Sequence, residues 1–281
     1  MYADVNGTKL YYTMEGTGIP CMIISYAGTL FYERTFSKEL QKYFQLIYVD
    51  LRGGGQSDPG IIGEITLASL VEDVEQLRQT LNLNKIAVIG HSGNSWLALE
   101  YARQYPRNIS HLILVGQGPK SGTEDTVKEQ QNYWETFSSG ERKTILERNL
   151  QQLTEDEQFD TFSTSESFIK MYVAWAPRLW CDAQFDCSHL WKEVNLNADV
   201  LRRFLDIVMK DYDSTSFLSE ITCPVFLALG KYDFLNPPIL WDGEKEKFPD
   251  CTYHLFERSG HNPQLEEQTL FTSKIIAWIM K

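Results

Sequence analysis

Cysteine is scarce in this sequence and does not come in pairs. The five thiols are Cys21, Cys181, Cys187, Cys223 and Cys251, an odd number with no C-x-x-C among them. That excludes a disulfide framework and a cysteine-based metal site, and it leads to the expectation of reduced thiols in a cytosolic protein. Positive charge is short as well: 26 Lys and Arg stand against 38 Asp and Glu, a net charge of −12. A surface of that sign is not built to hold nucleic acid or an anionic membrane. No apolar run is long enough to span a bilayer. The first residues lack the basic and apolar parts of a secretory leader, so a cytoplasmic location is expected. Internal repeats and low-complexity segments are missing too.

What is present is a chain of 281 residues, 43% of them hydrophobic, enough to bury one large core or a core with an insert. Two short β patterns, Tyr2–Val5 and Lys9–Met14, flank Asn6–Gly7, a strong hairpin signal. Apolar strands are predicted at 21–25, 45–50, 86–90, 109–115, 224–230 and 252–256. Helical patterns lie between them: one over 31–44, one capped by Thr66 with apolar positions at Leu67, Leu70, Val71, Val74, Leu77 and Leu81, and one that starts near Trp96. A last helix is predicted from Asn262, with Asn262 as N-cap and Pro263 in the first helical position. Such alternation implies an α/β fold with a mostly parallel sheet and helices on both faces. From 118 to 213 the pattern turns polar, helical and aromatic. This segment reads as a helical cap inserted into a core made of 1–117 and 214–281.

The stretch Lys85–Ile86–Ala87–Val88–Ile89–Gly90–His91–Ser92–Gly93–Asn94 is an apolar strand that ends in a small-residue turn and opens directly onto a helix. That is the context of a nucleophile elbow, with Ser92 as the nucleophile. A serine hydroxyl is too weak a nucleophile alone. It needs an imidazole to take its proton and a carboxylate to orient that imidazole. Asp233 follows the 224–230 strand and His261 follows the 252–256 strand, so both fall at the sheet edge where ligands bind. The 109–115 strand ends in Gly-Gln-Gly-Pro, with no carboxylate to compete for the acid role. An oxyanion hole would draw on the N–H of Gly93 and on that of Ala27 or its neighbour Tyr26. The other histidines read as structural: His91, expected to point away from the cleft, His111, His189 and His254.

In these residues the chain resembles the α/β-hydrolase superfamily, and within it the capped serine hydrolases similar to proline iminopeptidase. The family's Asp-x-Arg-Gly-x-Gly-x-Ser segment is matched by Asp50, Arg52, Gly53, Gly55 and Ser57, and its elbow by Gly90–His91–Ser92. The resemblance implies an acyl-enzyme mechanism on an ester or amide, with no cofactor and no metal. The substrate would be a small molecule or short peptide. The chain departs from the pattern in two places. Asn94 replaces the second elbow glycine, which implies a splayed or re-hydrogen-bonded turn that survives because asparagine tolerates positive φ. Ser25–Tyr26–Ala27–Gly28 replaces the family's His-Gly loop. The peptidase subgroup holds a substrate amine with cap glutamates. Glu124, Asp125, Glu129, Glu135 and Glu166 are available here, but a solvated helix face is the favoured reading of them. Tyr26, Trp175, Trp180 and Trp191 are the candidate pocket residues. The alternative to a small-ester hydrolase or aminopeptidase is a non-catalytic small-molecule-binding protein on the same scaffold.

Overall fold

A computed structural model describes all 281 residues of the protein. Strands β1 (Tyr2–Val5) and β2 (Thr8–Glu15) form the hairpin, and Asn6 and Gly7 turn it with φ of 48° and 77°. Positive φ at both central residues matches the right-handed twist of the two strands. Six more strands follow: β3 (Ile19–Ser25), β4 (Phe44–Asp50), β5 (Ile86–His91), β6 (Ile109–Val115), β7 (Val225–Gly230) and β8 (Cys251–Phe256). All eight join one sheet in the order β1-β2-β4-β3-β5-β6-β7-β8. Strand β2 runs antiparallel to both of its neighbours, and from β4 to β8 every pairing is parallel. The near-continuous apolar runs of the central strands follow from burial on both faces.

Helices connect the parallel strands. Helix α1 (Thr29–Thr35) follows β3, α2 (Leu67–Thr80) precedes β5, and α3 (Asn94–Gln104) leaves the elbow. Thr66 caps α2 as predicted; its hydroxyl accepts from the Ser69 N–H at 3.1 Å, and Ser69 Oγ accepts in return from the Thr66 N–H. The single helix predicted over 31–44 is instead α1 followed by a 3-10 turn at Lys38–Lys42. Phe36 and Ser37 are extended between them, and Ser37 Oγ accepts from the Glu39 N–H, so a local side-chain cap restarts the chain.

Six helices lie between β6 and β7: α4 (Glu124–Phe137), α5 (Gly140–Leu150), α6 (Glu155–Phe159), α7 (Ser165–Ala174), α8 (Ala176–Leu179) and α9 (Ala198–Arg202). A π-helical segment, Arg203–Val208, continues α9. Entry and exit meet at an isolated bridge between Lys120 and Asp213. Leu179, Trp180, Trp191, Val200 and Phe204 of this insertion belong to the same apolar cluster as the sheet. The insertion is therefore an extension of the core.

Two helices, α10 (Pro263–Glu266) and α11 (Gln268–Ile279), end the chain. Asn262 precedes α10, but its side chain makes no capping bond. It turns instead to Tyr172 Oη, at 3.3 Å. No helix is long and apolar enough to cross a membrane.

Candidate active site

Strand β5 delivers Ser92 to the carboxyl edge of the sheet in a strained backbone conformation, φ 54°. The strain is held by bonds on both sides. The Ser92 N–H donates to Val115 O at 2.9 Å, and Ser92 O accepts from the Ser95 N–H at 2.8 Å. Gly90 is required here, because a Cβ on it would come within 2.5 Å of Ser95 Cα. Positive φ at a non-glycine residue costs about 1–3 kcal/mol and persists only where surrounding structure enforces it. Such a turn lifts the side chain clear of the strand, as an elbow must.

The turn after β7 supplies Asp233 and the loop after β8 supplies His261. His261 Nδ1 lies 2.8 Å from Asp233 Oδ2, and both side chains are almost wholly buried. The second carboxylate oxygen, Oδ1, accepts from the Leu235 and Asn236 N–H groups at 3.0 and 2.7 Å. These bonds fix the orientation of the carboxylate and leave Oδ2 for the imidazole. The sequence expectation for the pair is met in space. Ser92 and His261 line one cavity, with no hydrogen bond between Oγ and Nε2. Such contacts commonly tighten only when substrate binds.

Three expectations are corrected. His91 does not point away from the cleft; its ring lies 4.8 Å from that of His261 and reaches the cavity. Its Nε2 is 2.9 Å from His261 O, which can only accept, so the proton sits on Nε2. Nδ1 then accepts from Tyr32 Oη at 3.1 Å. Asn94 is the first residue of α3 and carries no positive φ; the strained residue is Ser92. The asparagine side chain does re-bond the turn, with Nδ2 donating to Tyr32 Oη at 3.2 Å and to His91 O at 3.3 Å. A chain of bonds thus runs from Asn94 through Tyr32 and His91 to the backbone of His261.

Burial, with the nearby charge of His261 adding to it, pushes His91 down to about 3. Unfolded, the same group binds a proton near 6.5, so the unfolded chain gains a proton that the folded chain refuses. The His91 contribution is complete above about pH 6.5 and is lost as pH falls towards 3. Urea unfolding of the wild type should therefore weaken more steeply between pH 6.5 and 4 than that of His91→Gln, which keeps a donor but does not titrate. Parallel decline of the two proteins would contradict this.

The third correction concerns the pocket. Tyr26 and Trp191 line the cavity, but Trp175 and Trp180 do not. Trp180 is fully buried against Phe185, and Trp175 is half-buried between the main core and the small cluster of Trp134, Leu146 and Phe234. The sequence did not single out Phe31, Phe168, Tyr172 or Phe204 as walls. Phe31 follows the oxyanion loop, and the others lie in the insertion, whose helix faces no local pattern orients. None of Glu124, Asp125, Glu129, Glu135 and Glu166 reaches the cavity. Glu124, Glu135 and Glu166 pair with Lys128, Lys143 and Lys170 on the surface. The N–H groups of Gly93 and Ala27 donate to nothing within the chain, and both residues face the same space as Ser92.

Residues 24–268 match the sequence model of the alpha/beta hydrolase fold family. The chain belongs to the α/β-hydrolase family. This α/β-hydrolase is 30% identical to AB hydrolase superfamily protein YclE of Bacillus subtilis (strain 168), over 98% of its own length and 96% of that protein's. It is 26% identical to a proline iminopeptidase of Heyndrickxia coagulans, over 95% and 93% of the two chains. Among solved structures, a thermophilic esterase from Thermogutta terrifontis superposes with a TM-score of 0.76 at 21% identity, covering 100% of this chain and 97% of that one.

In this α/β-hydrolase the Asp50–Ser57 motif is scaffold. Asp50 Oδ1 accepts from the Thr29 N–H at 2.6 Å and Oδ2 from the Gln56 N–H at 2.8 Å, which ties the loop after β3 to the glycine-rich loop. Burial raises this carboxyl to about 6 despite those donors. Arg52 forms a two-pronged pair with Asp73 on α2, and Ser57 Oγ donates to Asp50 O at 2.6 Å. The motif shapes the loop that carries Ala27.

Proposed function

We propose that this α/β-hydrolase is a serine hydrolase of small carboxylic esters. The observation that carries the proposal is the convergence of four features on one apolar cavity: the Ser92 hydroxyl, the Asp233-bound His261, and the two unengaged N–H groups of Gly93 and Ala27. Ser92 Oγ attacks the ester carbonyl while His261 Nε2 takes its proton. The carbonyl oxygen becomes an oxyanion held by the N–H groups of Gly93 and Ala27. Each such donor contributes about 3–4 kcal/mol in the transition state. Asp233 accepts from Nδ1–H throughout, fixing the tautomer and stabilising the imidazolium. His261 then returns the proton to the departing alcohol, and an acyl-Ser92 remains. Water, activated by the same imidazole, adds to it and restores the serine. Beyond the ester and water, these steps draw on no further reactant.

The walls restrict the substrate. The cavity volume is about 90 Å³. That is below the roughly 150 Å³ of an apolar cavity that takes benzene, which favours a short acyl group. No carboxylate lines the space. A free substrate amine would lose its hydration there with no counter-charge, at a cost of several kcal/mol. That weighs against the activity named in the proline iminopeptidase relative. The expected result is turnover of p-nitrophenyl acetate to butyrate, a steep fall by octanoate, and no measurable release from proline-p-nitroanilide. Turnover of the anilide alone would overturn the ester reading.

A further inference from the structure

Arg142 on α5 carries a cation that is 8% exposed, and it has no carboxylate partner. Its side chain donates only to carbonyl oxygens. Nη1 reaches Pro177 O at 2.7 Å and Trp180 O at 2.8 Å, and Nη2 reaches Cys181 O. The guanidinium also lies 5.4 Å from the ring centres of Tyr232 and of Phe234, the two neighbours of Asp233. Burying a charge on carbonyls and ring faces alone is expensive, and the arrangement is informative about what it holds in place.

What it holds is the short turn of α8. Two consecutive carbonyls of that turn leave the helix and bind the catalytic loops. Arg178 O accepts from the Phe234 N–H at 2.9 Å, next to Asp233. Leu179 O accepts from the His261 N–H at 2.6 Å. Gly260 has no room for a side chain because Leu179 O occupies the place of its Cβ. A second brace closes the same contact: Glu266 Oε2 accepts from the Cys181 N–H and Oε1 from the Gly260 N–H, both at 2.7 Å. The cap turn is therefore bonded to the acid loop and to the base loop at once.

We propose that Arg142 is a positioning residue for the triad: by fixing the 177–181 turn it sets, from inside the cap, the separation of the Asp233 carboxylate and the His261 imidazole. The proposal rests on the triad roles given above. Arg142 lies outside the cavity and touches no reacting atom. Misplacing a catalytic group by about 1 Å typically costs about a hundredfold in rate. The expected effects follow from that scale.

The test compares wild type, Arg142→Lys, Arg142→Met and Glu266→Gln by steady-state kinetics on p-nitrophenyl acetate, per folded molecule. Thermal unfolding and the low-field proton resonance of the His261 Nδ1–H shared with Asp233 are recorded alongside, with Asp233→Asn assigning that resonance by its loss. Arg142→Met should lower kcat about ten- to a hundredfold with KM within about threefold, and should shift or broaden the resonance. Arg142→Lys, which keeps the charge and fewer donors, should fall between it and wild type. Glu266→Gln should move the resonance in the same way from the other side of the turn. Should Arg142→Met not fold, the lysine and Glu266 variants carry the same comparison. Variants with wild-type kcat and an unmoved resonance, whatever their melting temperature, would overturn the proposal. A wild type that shows the resonance but hydrolyses no ester would instead sink the functional reading, and the resonance would still decide the role of Arg142.

Discussion

Replacing Ser92 with alanine is expected to leave a folded protein that hydrolyses esters about four or more decades more slowly than wild type. Ser92 Oγ makes no hydrogen bond within the protein, and the residue is only half-buried. Alanine retains the Cβ, so it adds no strain to the φ of 54° that serine already carries. Stability should thus move by no more than the ±0.5 kcal/mol or so of a substitution that breaks no contact. The rate falls because the acyl-enzyme proposed on Ser92 can no longer form. What remains is the weak effect of the two N–H groups on direct attack by water. Circular dichroism and thermal unfolding check the fold, and p-nitrophenyl acetate hydrolysis checks the rate. A loss of only a few-fold would place the nucleophile elsewhere.

The second large effect is expected from Asp233→Asn. The carboxylate has two separate tasks: Oδ1 receives the Leu235 and Asn236 N–H groups, and Oδ2 receives His261 Nδ1–H. An asparagine keeps the first task, because its carbonyl can face the two backbone donors. Its amide NH₂ then faces the imidazole and donates to Nδ1. That forces the ring proton onto Nε2, where a proton cannot be accepted from serine. The turn survives and the base is in the wrong tautomer, so kcat should drop by about four decades, with KM little changed. If a variant of unchanged stability kept most of its rate, the acid would have to lie elsewhere, and the β7 edge offers no other carboxylate in contact with His261.

The three proposed catalytic positions were legible in the sequence because each is announced locally. Ser92 sits where an apolar run meets small residues and a helix. Asp233 and His261 each follow a strand by a few residues, and parallel topology brings such positions to one edge. The hairpin and the Thr66 cap were legible for the same reason, since Asn-Gly and a threonine before a periodic run act within a few residues. The cavity walls were not legible. A tryptophan in an amphipathic cap serves equally well as core or as pocket, and only tertiary packing assigns Trp191 to the cavity and Trp180 to the core. The orientation of His91 depends on Tyr32 and on His261 O, which lie 59 and 170 residues away. Arg142 carries no signal at all in the sequence, because its partners are backbone carbonyls and backbone has no residue identity. The break at Phe36–Ser37 shows the limit from the other side. The apolar period continued across it, and a single serine hydroxyl was enough to end one helix and start the next turn.

The most direct test of the catalytic account is covalent labelling of the folded protein with a fluorophosphonate, with the modified peptide located by mass spectrometry. The account predicts one adduct, on Ser92, formed slowly in His261→Ala and not at all in Ser92→Ala. No adduct on the native protein, or an adduct on a different residue, would contradict it.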